Sequence, residues 1–152
     1  MPPIVRDTDS ASPSFDAQVD RLLKEAPDEA RPHLQRLLAQ TVRGPDEIRV
    51  ELDRYWEKLE DHRDEYEFLD IGTAWTLVSQ CRRLLLWLED HGSPDRARLV
   101  QTAVRYFIKS NDGESDLNSP IGFDDDAEVV EIVARLLGQE ELLSVGEEAG
   151  DE

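Results

Sequence analysis

Apolar residues recur at helical spacing along most of the chain, and no stretch alternates with the period of two that a half-buried strand requires. After Ser14, a plausible N-cap, Phe15, Val19, Leu22 and Leu23 keep one face apolar until Pro27 interrupts. Leu34, Leu37, Leu38 and Val42 resume the pattern over 32–43, with Gly44 as the stop. Pro45 then opens a long amphipathic helix. Ile48, Leu52, Tyr55, Leu59, Tyr66 and Leu69 form its apolar stripe; Glu51, Arg54, Lys58, Asp61 and Glu65 form a solvated face. The next helix, 70–91, is the most apolar. Ile71, Trp75, Val78, Cys81, Leu85 and Leu88 lie on one stripe that Leu77, Leu84 and Trp87 widen, which suits the centre of a bundle. His91-Gly92 closes it, and Ser93-Pro94-Asp95 caps another helix with Leu99, Val100, Ala103, Val104, Phe107 and Ile108 inward. A polar loop spans 110–123. A last helix follows over 124–137, with Val129, Val130, Ile132, Val133, Leu136 and Leu137 buried and Gly138 ending it.

The pattern predicts an all-α, single-domain bundle of five or six helices over residues 14–138. Residues 1–13 carry three prolines and no periodicity, and read as a loose arm. Residues 139–152 add six acids and read as an acidic disordered tail, with Leu142-Leu143 as a weak docking point. The stripe of the helix from Pro45 suits either a place inside the bundle or a dimer seam, so a homo-oligomer stays open; it is too short for a coiled coil.

Charge narrows the partners. The formal net charge is −18, from 35 acidic and 17 basic residues. Such a surface repels nucleic-acid phosphates and anionic lipid and attracts cations or a basic protein. Only Lys24, Lys58 and Lys109 are lysines, and this Arg bias with many Asp is equally what genome composition or a saline habitat produces. The expectation is therefore no nucleic acid and no membrane. The N-terminus lacks the apolar core of a secretory signal, and the run Leu84–Leu88 is far too short to span a bilayer, so the expected compartment is cytoplasmic. A single cysteine, Cys81, rules out an intramolecular disulfide and a multi-cysteine zinc site, and its place on the apolar stripe points to a structural thiol rather than a nucleophile.

Most catalytic signatures are absent. There is no glycine-rich phosphate loop and no nucleophile elbow. A bundle-type di-metal site wants Glu three residues before His, but Ala30, Leu59 and Leu88 precede His33, His62 and His91. The positive candidate is a run of aspartates, Asp112, Asp116, Asp124, Asp125 and Asp126, between two apolar helices. Crowded carboxylates repel unless solvated, protonated, paired with Arg or sharing a cation, and hard oxygen ligands suit calcium, magnesium or manganese. The spacing is not that of an EF-hand. The competing reading is structural: Asp124, Asp125 and Asp126 favour the positive end of a helix, and Asp112 and Asp116 form turns.

At this loop the chain resembles the YkvA-like family of bacterial domains, whose signature is an aromatic helix end, Asp-x3-Asp-x5-Gly-x2-Asp-Asp and an apolar helix. Asp112, Asp116, Gly122 and Asp125-Asp126 stand at those gaps, with Tyr106-Phe107 before them and Phe123 after the glycine. The resemblance covers about residues 97–137. It departs where Ser110-Asn111 and Glu114-Ser115 replace the family's prolines, and Arg105, Lys109, Glu128 and Glu131 disfavour the membrane association that more apolar members suggest. The family has no established biochemical role to carry over. The resemblance implies that Asp112, Asp116, Asp125 and Asp126 form a cluster with a role.

Two functions follow. The first is a protein–protein interaction or regulatory module without catalytic activity, steered by charge to a basic partner. The alternative is a divalent-metal-binding domain, structural or hydrolytic, with Asp112, Asp116, Asp125 and Asp126 as ligands and calcium, magnesium or manganese as the cofactor.

Overall fold

Local sequence chemistry sets most of the helix boundaries in the computed structural model, which describes residues 14–65, 71–110 and 123–143. Helix α1 (Phe15–Glu25) starts where the Ser14 hydroxyl accepts from the Ala17 N–H at 3.2 Å. Helix α3 (Pro45–His62) has Pro at its first turn and Asp46 and Glu47 at the positive end of its dipole. Helix α5 (Pro94–Ser110) is capped by Ser93, whose hydroxyl accepts from the Arg96 N–H at 3.3 Å. Helices α2 (Arg31–Leu38), α4 (Ile71–His91) and α6 (Asp124–Leu136) complete the set. Besides these six α-helices, the described residues hold one 3-10 turn at Arg63–Glu65, helical residues at 141–143 and no strand, so the fold is all-α.

Helix α5 is the centre, where the apolar spacing predicts α4, because α5 meets more of the other helices. It packs on α2, α3, α4 and α6, while α1 rests on α6 and α2. Leu99, Val100, Ala103, Val104 and Phe107 are buried as the spacing predicts, and so are Gln101, Thr102 and Tyr106. A helix surrounded by four others has almost no solvent face. The stripe Ile48, Leu52, Tyr55 and Leu59 of α3 is consumed inside the bundle rather than left as a seam. Tyr55 and Phe107 pack edge to face with ring centroids 5.1 Å apart, and the Phe107 and Phe123 centroids lie 5.9 Å apart, so three aromatic rings tie α3, α5 and the start of α6 together.

Three boundaries differ from the sequence reading. Helix α2 stops at Leu38 rather than running to 43. The backbone beyond it is taken by α5 instead: Arg98 donates to the carbonyls of Leu38 and Gln40, and the Gln101 amide bridges Thr41 and Arg43. Gly44 therefore does not stop α2. It caps α3 from an extended conformation, φ −66° and ψ 153°. Helix α3 tightens into a 3-10 turn after His62, and the remaining stripe residues Tyr66 and Leu69 lie outside the described residues.

Helix α6 ends as expected at Gly138, whose φ is +72°. The Gly138 N–H donates to Arg135 O at 3.0 Å and the Gln139 N–H to Ala134 O at 2.8 Å, the paired bonds of a Schellman motif. Residues 139–143 then turn back onto the bundle with Leu142 and Leu143 partly buried, and Gln80 of α4 donates to the Leu143 carbonyl at 3.3 Å. The arm 1–13 and the rest of the tail, 144–152, lie outside the described residues.

Candidate functional site

The aspartate run enters the described structure at Phe123, which is buried and precedes α6. Asp124, Asp125 and Asp126 fill the first turn of α6, where carboxylates complement the free N–H groups and the dipole. Each residue rotates about 100° around a helix, so three consecutive side chains leave in three directions. Asp124 is exposed, Asp125 half-buried, and Asp126 is 1% exposed and turned into the core. Of the four proposed ligands, Asp125 and Asp126 thus stand in different surroundings, and Asp112 and Asp116 lie outside the described residues. Among the described residues, no three His, Cys, Asp or Glu side chains gather as a metal site would require.

Beneath Asp126 lies Cys81, fully buried and unbridged on α4. Burial, and secondarily the Asp126 charge, push its thiol pKa up to about 12. A thiol held that high carries almost no thiolate at neutral pH, so Cys81 is a packing residue, as its place on the apolar stripe suggests. The structure brings Cys81 and Asp126 together across α4 and α6, a juxtaposition that sequence separation hid.

Asp124 faces a different feature. Between α1 and α6 runs a groove of about 420 Å³ lined by Glu25, Asp124, Ala127, Glu128, Glu131, Ile132 and Arg135. Arg135 pairs with Glu25 at 3.4 Å across it. Among the described residues Asp124, Glu128 and Glu131 have no cationic partner, so this groove concentrates negative charge on one wall. The three acids sit at i, i+4 and i+7 of α6, a spacing legible in the sequence once α6 was assigned. What the sequence did not show is that α1 supplies the opposite wall, held there by Gln18, whose side-chain amide donates to the Leu136 carbonyl at 3.1 Å.

A second polar array was missed altogether. Arg98, Gln101 and Arg105 stand at i, i+3 and i+7 of α5 and hold the connector before α3. Arg105 donates to both carboxylate oxygens of Glu51, at 3.0 and 2.6 Å, and to Gln40 Oε1 at 2.9 Å. These groups are spent on backbone and neighbouring side chains, so their role is structural.

Comparison with known proteins returns no match: no family model, no curated protein and no solved structure matches the chain. The resemblance to YkvA-like domains therefore rests on the residues at the aspartate loop alone.

Proposed function

We propose that the chain is a non-catalytic protein-interaction module of the cytoplasm, whose acidic groove between α1 and α6 receives a basic segment of a partner protein. The observation that carries this reading is the wall of Asp124, Glu128 and Glu131, unpaired among the described residues, along a groove open to solvent. A Lys or Arg side chain entering it gains three carboxylates with little reorganisation, and the overall charge of −18 steers a basic partner toward it. Burial of Cys81, whose thiol is held protonated, disfavours nucleophilic chemistry at that residue. No helix among the described residues is long and apolar enough to cross a membrane. The YkvA-like reading of 97–137 belongs to the same proposal, because its signature ends at Asp125-Asp126, beside the Asp124 that lines the groove.

The test is titration of a short Lys-rich peptide, followed by fluorescence anisotropy. The double substitution Glu128→Gln/Glu131→Gln should weaken binding about tenfold, and raising salt should weaken it further. Binding that ignores both changes would remove the groove from the proposal.

A further inference from the structure

Helix α4 places two large apolar side chains on the surface. Trp75 is 45% exposed and Leu86 58% exposed. The apolar spacing predicts Trp75 inside the bundle, but it stands on the flank of the buried stripe, against Trp56 of α3 at 5.1 Å between ring centroids. Both residues line a groove of about 240 Å³ along the α3–α4 seam, and the other lining residues are Arg49, Ser79, Arg82 and Arg83. Three guanidiniums around two exposed apolar groups are the reverse of the surface that a net charge of −18 leads one to expect.

The arginines are arranged rather than scattered. Arg82 donates to Asp53 Oδ1 through Nε and Nη2, at 3.1 and 2.8 Å, and lies 5.3 Å from the centre of the Trp75 ring. Asp53 also reaches Arg49, more loosely, at 3.9 Å. One carboxylate therefore serves two guanidiniums, and among the described residues no acid pairs with Arg83. The groove keeps local positive charge beside a Trp and a Leu. Arg and Trp are the side chains on which interaction energy concentrates, because each combines a large flat contact with a polar edge.

We propose that this α3–α4 groove binds a short acidic segment of another protein, with one apolar side chain of that segment seated between Trp75 and Leu86. The inference rests on the reading of the chain as an interaction module and gives it a second surface of opposite sign. Charge decides the chemistry of the occupant. Beyond about 8–10 Å in physiological salt the negative charge of the whole molecule is screened, so a segment in contact senses the three arginines. Extended polyanions such as nucleic acid or an anionic bilayer also meet the surrounding acidic surface and are repelled. Area decides its size. A stable dimer buries on the order of 1,200–2,000 Å² around an apolar centre, whereas this groove offers two apolar side chains.

The test uses the full chain and two short fluorescein-labelled peptides, one with Leu recurring every third or fourth position among Glu, the other with Lys replacing every Glu. Anisotropy is read at fixed ionic strength for the wild type, Arg83→Glu and Leu86→Ser. Leu86 is exposed and Arg83 half-buried, and thermal unfolding by circular dichroism checks that each variant folds. The Glu peptide should bind the wild type and lose about tenfold or more with either substitution. The Lys peptide should be indifferent to both. Glu-peptide binding that is unchanged in Glu128→Gln/Glu131→Gln separates the two grooves and supports this one, whether or not the Lys peptide binds the other. Absence of Glu-peptide binding, or equal binding by Arg83→Glu, overturns the proposal. Two further outcomes overturn it by reassigning the groove. One is self-association in sedimentation that Leu86→Ser abolishes, which gives the groove to a second copy. The other is Glu-peptide binding that appears only after Glu147, Glu148, Asp151 and Glu152 are changed to amides, which gives it to the chain's own tail.

Discussion

The side chain of Gln101 does for Arg43 what a further turn of helix would have done: its Oε1 accepts from the Arg43 N–H at 2.7 Å, while its Nε2 donates to the Thr41 carbonyl at 3.0 Å. Gln101 is 2% exposed, so neither half of the amide has water as a ready substitute. Replacing it with Leu keeps the volume and removes both bonds. Gln101→Leu should lower unfolding free energy by about 1–3 kcal/mol, read as a lower urea midpoint with an unchanged slope.

Its neighbour predicts the opposite sign. Thr102 is 1% exposed, and its hydroxyl has no hydrogen-bond partner among the described residues. Thr102→Val replaces that hydroxyl with a methyl of nearly the same shape. It should raise stability by about 0.5–1 kcal/mol, because a desolvated and unsatisfied group is removed. A midpoint that falls would show that the hydroxyl has a partner in the folded protein.

Gly138 has φ +72°, and a Cβ built there meets nothing within 4 Å. The cost of a side chain is then conformational alone. Gly138→Ala should destabilise by roughly 1 kcal/mol and Gly138→Asn by less, since Asn tolerates the left-handed region. Equal losses for the two would mean that the helix end is not held in this conformation.

Cys81 makes stability fall at alkaline pH. Its pKa is raised from 9.0 to about 12 in the fold, so between those values the unfolded chain releases a proton that the folded one keeps. That contribution is complete below pH 9 and is lost as pH rises toward 12, by up to about 1.4 kcal/mol per pH unit. Other groups titrate there too, so the comparison is with Cys81→Ala. The variant is less stable at pH 7, and its stability should decline less steeply above pH 9. Parallel declines would show that Cys81 is not the group responsible.

The divalent-metal reading makes a separate prediction. Asp126 is turned into the core and Asp125 is only half-buried, so a shared ion would have to draw on both surroundings at once. Thermal unfolding of the EDTA-stripped protein, at constant ionic strength, should rise no further in millimolar calcium, magnesium or manganese than in sodium. A rise specific to one ion, abolished by Asp125→Asn, would establish the metal site instead.

Where the sequence could be read, one local cause acted. Ile48, Leu52, Tyr55 and Leu59 were legible because a helix buries one face at its own period, and Ser14, Ser93 and Gly138 because caps depend on their immediate neighbours. Periodicity therefore determined the all-α class, the helix order and most of the core. It also gave the three aspartates a helix N-terminus to occupy. Tertiary structure decided everything that needed a second element. Trp75 lies on a stripe edge, and whether an edge is covered depends on the neighbour beside it. Gln101 sits between the apolar residues Leu99 and Val104, and its partners lie 58 and 60 residues away. The two grooves of opposite charge likewise come from how helices pack. Period fixes which face of a helix is buried; only packing fixes what each remaining side chain meets.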